Sequence, residues 1–173
     1  MNYRKEFQQM LDIGGEESQI EICIEELAEC IMALQKFKRA RRNPNQNPVK
    51  QMEAAKNVCE ELADVIVTTL QITYMFGESN QTRPAEPTGA TGGKERVTNG
   101  IAQFARFIDV LNRYHNRSES PLVWRNQAKI EAGKTLAVAD DLSILFGRQE
   151  VIKVFHEKIE RTMQRLGLTC NNR

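Results

Sequence analysis

The sequence has little with which to build a zinc site. Cys23, Cys30, Cys59 and Cys170 include no CxxC pair, and only His115 and His156 are available to join them. Reduced cysteines in an apolar core are therefore expected. Long apolar runs are missing as well. No segment reaches ~18 uncharged apolar residues, and none follows the charges of the opening MNYRKEFQQML. A membrane partner is excluded on this ground, and a soluble cytoplasmic protein is expected. Excess charge of one sign is also absent. The 24 basic residues balance 23 acidic ones, for a formal charge of +1, so no global field marks a nucleic-acid or membrane binder. No nucleic-acid partner is expected, and any electrostatic function must be local.

β-type alternation is scarce, whereas helical periodicity runs through most of the 173 residues, which predicts an all-α fold. A short helix is expected over Tyr3 to Ile13, stopping at Gly14 and Gly15. A long one follows from about Glu17 to Arg42 and ends at NPNQNP, and a third covers about Val49 to Phe76. The stretch GESNQTRPAEPTGATGGKER, residues 77–96, is rich in Gly, Pro and Thr and reads as a linker or long loop. It separates a first helical half, 1–76, from a second, 97–173. In the second half helices are expected at about Val97 to His115, Leu122 to Phe146 and Gln149 to Leu166.

The GGK of the linker is not a phosphate loop. Thr88 stands where the motif needs its first glycine, Glu95 follows Lys94 in place of Ser or Thr, and no strand precedes it. Lys36, Lys38, Arg39, Arg41 and Arg42 crowd the end of the second helix, where cations suit the helix dipole. A faint repeat links the halves. AECIMAL from Ala28 aligns with ARFIDVL from Ala105, and LADVIV from Leu62 with VADDLS from Val138. In that register Glu26 and Glu29 fall opposite Gln103 and Arg106, Glu61 opposite Ala137, and Asp64 opposite Asp140.

The chemistry is concentrated in IEELAECIMAL and CEELADVIVTTL. With Glu26 at zero and about 100° per residue, Leu27, Ile31, Leu34 and Ile24 fall at about 80–160° and Glu29 at about 300°. With Glu61 at zero, Leu62, Val65, Ile66 and Thr69 fall at about 40–140° and Asp64 again at about 300°. Each helix therefore carries two neighbouring carboxylates beside its core stripe, and an antiparallel pairing brings the two sets together. Two unit charges ~4 Å apart repel by about 4 kcal/mol at an effective dielectric of 20, so such a quartet either faces water or holds a cation. Carboxylate-only ligation favours a hard ion, Mg²⁺ with Mn²⁺ as a substitute. The absence of an ExxH partner argues against a ferritin-like di-iron site.

EELAE at Glu25 to Glu29 and EELAD at Glu60 to Asp64 resemble the ExxE and ExxD motifs of the all-α nucleoside triphosphate pyrophosphohydrolases, the MazG-like and dimeric dUTPase-like enzymes. The closing FHEKIERTMQRLGL is similar to the basic last helix of phage and bacterial members. The likeness covers residues 20–70 well and 148–168 loosely, and leaves the middle unaccounted for. It implies a helical bundle in which Glu26, Glu29, Glu61 and Asp64 hold Mg²⁺, with Glu25 joining them or positioning water. It further implies hydrolysis of a nucleoside or deoxynucleoside triphosphate to monophosphate and pyrophosphate, in a homo-oligomer. Lys158, Arg161 and Arg165 recur at helical spacing and are candidate phosphate ligands. Typical members are short chains, whereas this one adds a second set of helices without the carboxylates. A fused pseudo-dimer with a degenerate second half accounts for that, and a non-enzymatic helical interaction protein of the same ancestry is the alternative. A carboxylate metal-binding protein with different chemistry leaves the order of the motifs unexplained. Trp124, Phe7 and Tyr74 are candidates to stack on a base, although each also suits a core.

Overall fold

A computed structural model describes residues 3–42, 47–77, 92–116 and 121–168, and all of their regular structure is helical. The elements are α1 (Arg4–Arg42), α2 (Pro48–Phe76), α3 (Gly93–His115), α4 (Pro121–Phe146) and α5 (Arg148–Arg165). α1 comprises the two helices expected before Arg42, which meet at a kink at Gly15, whose φ of 76° and ψ of 166° are not helical. α2 starts where Asn47 accepts a hydrogen bond from the Val49 amide at 2.9 Å and Pro48 fills the first turn. Gly147, at φ 120°, divides α4 from α5. Of the expected linker, residues 78–91 lie outside the described residues, as do 43–46 of the proline loop, 117–120 and Cys170. Its last residues, 93–96, are instead the first turn of α3, where Arg96 is anchored to Asp141 at 3.4 Å. An ion pair to α4 supplies there what local apolar period lacks.

α1 packs along α2, and α3 along α4. The two hairpins are joined through α2 on α4 and α1 on α3, and α5 lies chiefly on α2. One apolar cluster draws on all five helices, with Leu27, Leu34, Leu62, Ile72, Phe104, Phe107, Leu111 and Leu142 fully buried. Burying these side chains contributes ~1.5–3 kcal/mol each. The two halves therefore share a single core. A smaller cluster of Tyr3, Phe7, Met10, Ile159 and Met163 seats the start of α1 against α5. Cys23, Cys30 and Cys59 are free and buried, as expected; burial drives the Cys23 thiol up to about 12, so it acts as a small apolar residue.

The buried positions repeat between the hairpins. Ile20, Cys23, Leu27, Cys30, Ala33 and Leu34 on α1 recur as buried Val97, Gly100, Phe104, Phe107, Val110 and Leu111 on α3, each 77 positions later. Val58, Leu62, Val65, Thr69 and Ile72 on α2 recur as buried Ala128, Ala132, Thr135, Ala139 and Leu142 on α4, each 70 positions later. The first offset agrees with the sequence alignment. The second corrects it: pairing Leu62 with Val138 is wrong by six residues, or about 240° around a helix, which turns the wrong face inward. In the observed register Glu61 has its counterpart in Glu131, and Asp64 in Lys134.

A candidate carboxylate site between α1 and α2

Leu27 and Cys30 on α1, and Leu62 and Val65 on α2, are fully buried and hold the two helices at close range. The acidic residues beside them then face one another along one edge of the interface. One carboxylate oxygen from each of Glu26, Glu29 and Glu61 lies within 4.8 Å of the other two. Glu26 and Glu61 are half-buried and Glu29 is exposed. Burial pushes the Glu26 carboxyl above its ordinary value; Lys158 pulls it back, and Glu29, Glu61 and Glu25 push it further up. Burial also raises Glu61, Glu29 adds repulsion, and Lys158 and Lys36 oppose both. The helices thus press acids together that resist being ionised there.

Asp64, the fourth expected ligand, takes no part in this triad. Its carboxylate is bonded to the ammonium of Lys158, which reaches over from α5, and both side chains are largely covered. Burial lowers the Lys158 ammonium below its ordinary value, while Glu26, Glu61 and Glu60 favour its charge. Lys158, expected as a phosphate ligand, therefore stands among the carboxylates as an internal cation. Its neighbours on α5 do not join it. Arg161 is exposed and pairs with Glu157 at 3.4 Å, and Arg165 is exposed and donates to Thr162 Oγ1 at 3.3 Å. Glu25 is exposed and outside the triad, yet close enough to repel Glu26.

The donor set suits a hard cation. It is all oxygen, it comes from two rigid helices, and two of its three carboxyls carry repulsion that a positive ion relieves. Of the aromatic candidates, Phe7 is core, Trp124 lies under the Arg113 guanidinium at 5.1 Å, and Tyr74 donates to Gln8 at 2.8 Å. His156 shares a 2.5 Å hydrogen bond with the Tyr3 hydroxyl, and His115 stands 3.8 Å from Glu21.

The second hairpin contains a group that the sequence reading missed. Glu131, 1 % exposed, accepts from Gln103 at 2.9 Å, from Gln127 at 3.1 Å and from Lys134 at 2.9 Å. Burial pushes its carboxyl up, but the hydrogen bonds from Lys134 and Gln103 and the charges of Lys134 and Arg106 outweigh that, and the net shift is downward. In the structural register, Gln103 replaces Glu26, Arg106 replaces Glu29 and Lys134 replaces Asp64 around a retained glutamate. The likeness of EAGK at 131–134 to ELAD at 61–64 was the available signal. No protein-family model, curated protein or solved structure matches the chain. No helix among the described residues is long and apolar enough to cross a membrane.

Proposed function

We propose that the protein is a Mg²⁺-dependent nucleotide pyrophosphohydrolase of the MazG-like kind, converting a nucleoside or deoxynucleoside triphosphate to monophosphate and pyrophosphate. The observation that carries this reading is the meeting of Glu26, Glu29 and Glu61 across α1 and α2, from motifs in the family's order. These three would hold the ion, Mg²⁺ or Mn²⁺ in its place. A bound divalent ion supplies a lowered pKa for an attacking water and neutralises charge developing on the transferred phosphorus and leaving group.

The remaining roles fall to the chain itself. Lys158 is the cation that acts on both Glu26 and Glu61, so it would donate to substrate phosphate oxygens, and in doing so would free Asp64 to join the other carboxylates. Glu25, exposed at the edge, would join the ligands or position the attacking water. Arg161, close enough to Lys158 to influence its charge, and Arg165 would meet the outer phosphates only by leaving their present partners. In this reading the second hairpin, its own site closed by Lys134 and Arg106, buttresses the first, and the whole is a fused pseudo-dimer. Further association into a homo-oligomer is part of the proposal.

One observation favours a second reading, a non-catalytic helical interaction protein of the same ancestry: Lys158 already satisfies Asp64 without any ion. Incubation with Mg²⁺ and a panel of triphosphates separates the two. The expected result is release of monophosphate and pyrophosphate. Glu61→Gln together with Asp64→Asn should lower the rate at least about a thousandfold, the loss of several kcal/mol of transition-state stabilisation. Activity that survives the double substitution contradicts the site. Absence of turnover, with no thermal stabilisation by Mg²⁺ or Mn²⁺, favours the second reading.

A further inference from the structure

Two features with no role in the carboxylate site, the cations from Lys38 to Arg42 at the end of α1 and the GGK stretch, are brought to one place by the fold. A cavity of about 400 Å³ opens between the last turns of α1 and the first turn of α3. Its apolar surface is Phe37 and Val97, the former braced edge-on by Phe146 at 4.7 Å between ring centres. Around it stand four cations, Lys38, Arg41 and Arg42 from α1 and Lys94 from α3, and among the described residues no carboxylate lines it. Lys38 donates to Thr98 Oγ1 at 3.1 Å, and the Arg41 guanidinium lies 5.8 Å from the centre of the Phe37 ring. Arg41, Arg42 and Lys94 form no ion pair among the described residues.

The C-terminal dipole of α1 accounts for Arg41 and Arg42, but not for Lys94. That lysine sits in the first turn of α3, the positive end of its helix, where a cation is disfavoured. Four positive charges converging from two helices, one of them against its own helix dipole, call for a multiply charged anion. Gly92 leaves room for it, since a Cβ there would meet nothing within 4 Å; Gly93 instead serves close packing, where a Cβ would come within 3.2 Å of Leu145 Cδ1.

We propose that this cavity binds two linked phosphates, as inorganic pyrophosphate or as the diphosphate tail of a nucleotide. Two phosphates match four cations better than one, and charge-assisted donors of this kind are the strong ligands for phosphate oxygens. The site shares no residue with the carboxylate triad. Lys38 lies nine residues beyond Glu29, ~13 Å along α1, so the proposal stands independently of the pyrophosphohydrolase reading.

Calorimetric titration of the full chain with pyrophosphate, and separately with adenosine diphosphate, tests this in the presence of EDTA and at low salt, where the carboxylates have no ion through which to bind phosphate. Binding of either ligand is expected. Equal affinity identifies the free diphosphate as sufficient, whereas tighter binding of the nucleotide identifies a ring seated on the apolar surface. Arg41→Gln and Lys94→Gln, both at exposed positions, should each weaken binding about tenfold, while Glu61→Gln leaves it unchanged. Three results overturn the proposal: no binding of either ligand, an affinity insensitive to the Arg41 and Lys94 substitutions together, or loss on Glu61→Gln. A single-stranded oligonucleotide that binds through Arg41 and Lys94 where pyrophosphate does not also overturns it, in favour of a polynucleotide backbone.

Discussion

Glu61 and Glu131 occupy equivalent places in the two hairpins, yet their surroundings push their carboxyls in opposite directions. Burial raises both. Around Glu61 the neighbours are mostly more acid, and Lys158 opposes them from a separate helix. Around Glu131 the same positions carry Gln103, Arg106 and Lys134, so the neutralising charge is part of the hairpin. A buried carboxylate is tolerated either by building in its counterion or by leaving the place for one that comes from outside. The second hairpin follows the first course, and the first hairpin follows the second with Lys158 as a partial substitute.

Substitutions can break this contrast. The largest stability effect is expected at Glu131→Ala, which removes the carboxylate that accepts from Gln103, Gln127 and Lys134 and leaves Gln103 only its longer bonds, to the residue 131 carbonyl and Thr135 Oγ1. It should cost about 2–3 kcal/mol at neutral pH, the lower part of the range because Lys134 remains half in water. Glu61→Ala should cost much less in the absence of divalent ions, since it relieves repulsion; urea midpoints measured in parallel compare the two. Equal losses would show that both glutamates are simply core.

Next in size is Gly100→Ala. Its counterpart in the first hairpin, Cys23, accommodates a larger side chain, but a Cβ at Gly100 would come within 2.7 Å of Leu142 Cδ1. Leu142 is fully buried and cannot swing away freely, so about 1–2 kcal/mol is expected in the same assay. An unchanged midpoint would mean that α3 and α4 are more loosely packed than α1 and α2.

The smallest effect, and the most informative, is the pH dependence. For Glu61, whose carboxyl is raised from 4.5, the unfolded chain loses the proton first as pH rises. Its contribution to stability therefore falls through the window from 4.5 up to the raised value. For Glu131, lowered from 4.5, the contribution is present above 4.5 and is lost as pH falls through the lowered value. Stability differences between wild type and Glu61→Gln, and between wild type and Glu131→Gln, should thus slope oppositely with pH in EDTA. Mn²⁺ should flatten the first slope and leave the second untouched. Parallel slopes would remove the distinction between the two sites.

Much of the fold was legible because helix periodicity and breakers are local. The helices were placed within a few residues, with the break at Gly15 where the glycines stand, except at 93–96, where Arg96 gains a partner on α4. The carboxylate motifs were legible from the wheel alone. Asp64 was not, because its partner Lys158 lies 94 residues away on a helix whose packing no local pattern reveals.

By itself, the sequence determined the helical class, the apolar faces and the side of each face on which Glu26, Glu29, Glu61 and Asp64 stand, since these follow from spacing at about 3.6 residues per turn. Only the tertiary structure decided which acids meet, which cation answers them and that Glu131 belongs with Lys134 and Gln103. The reason is one of range. Periodicity sets the direction of a side chain about its own axis, but the charge it faces depends on which helices pack together and in what register.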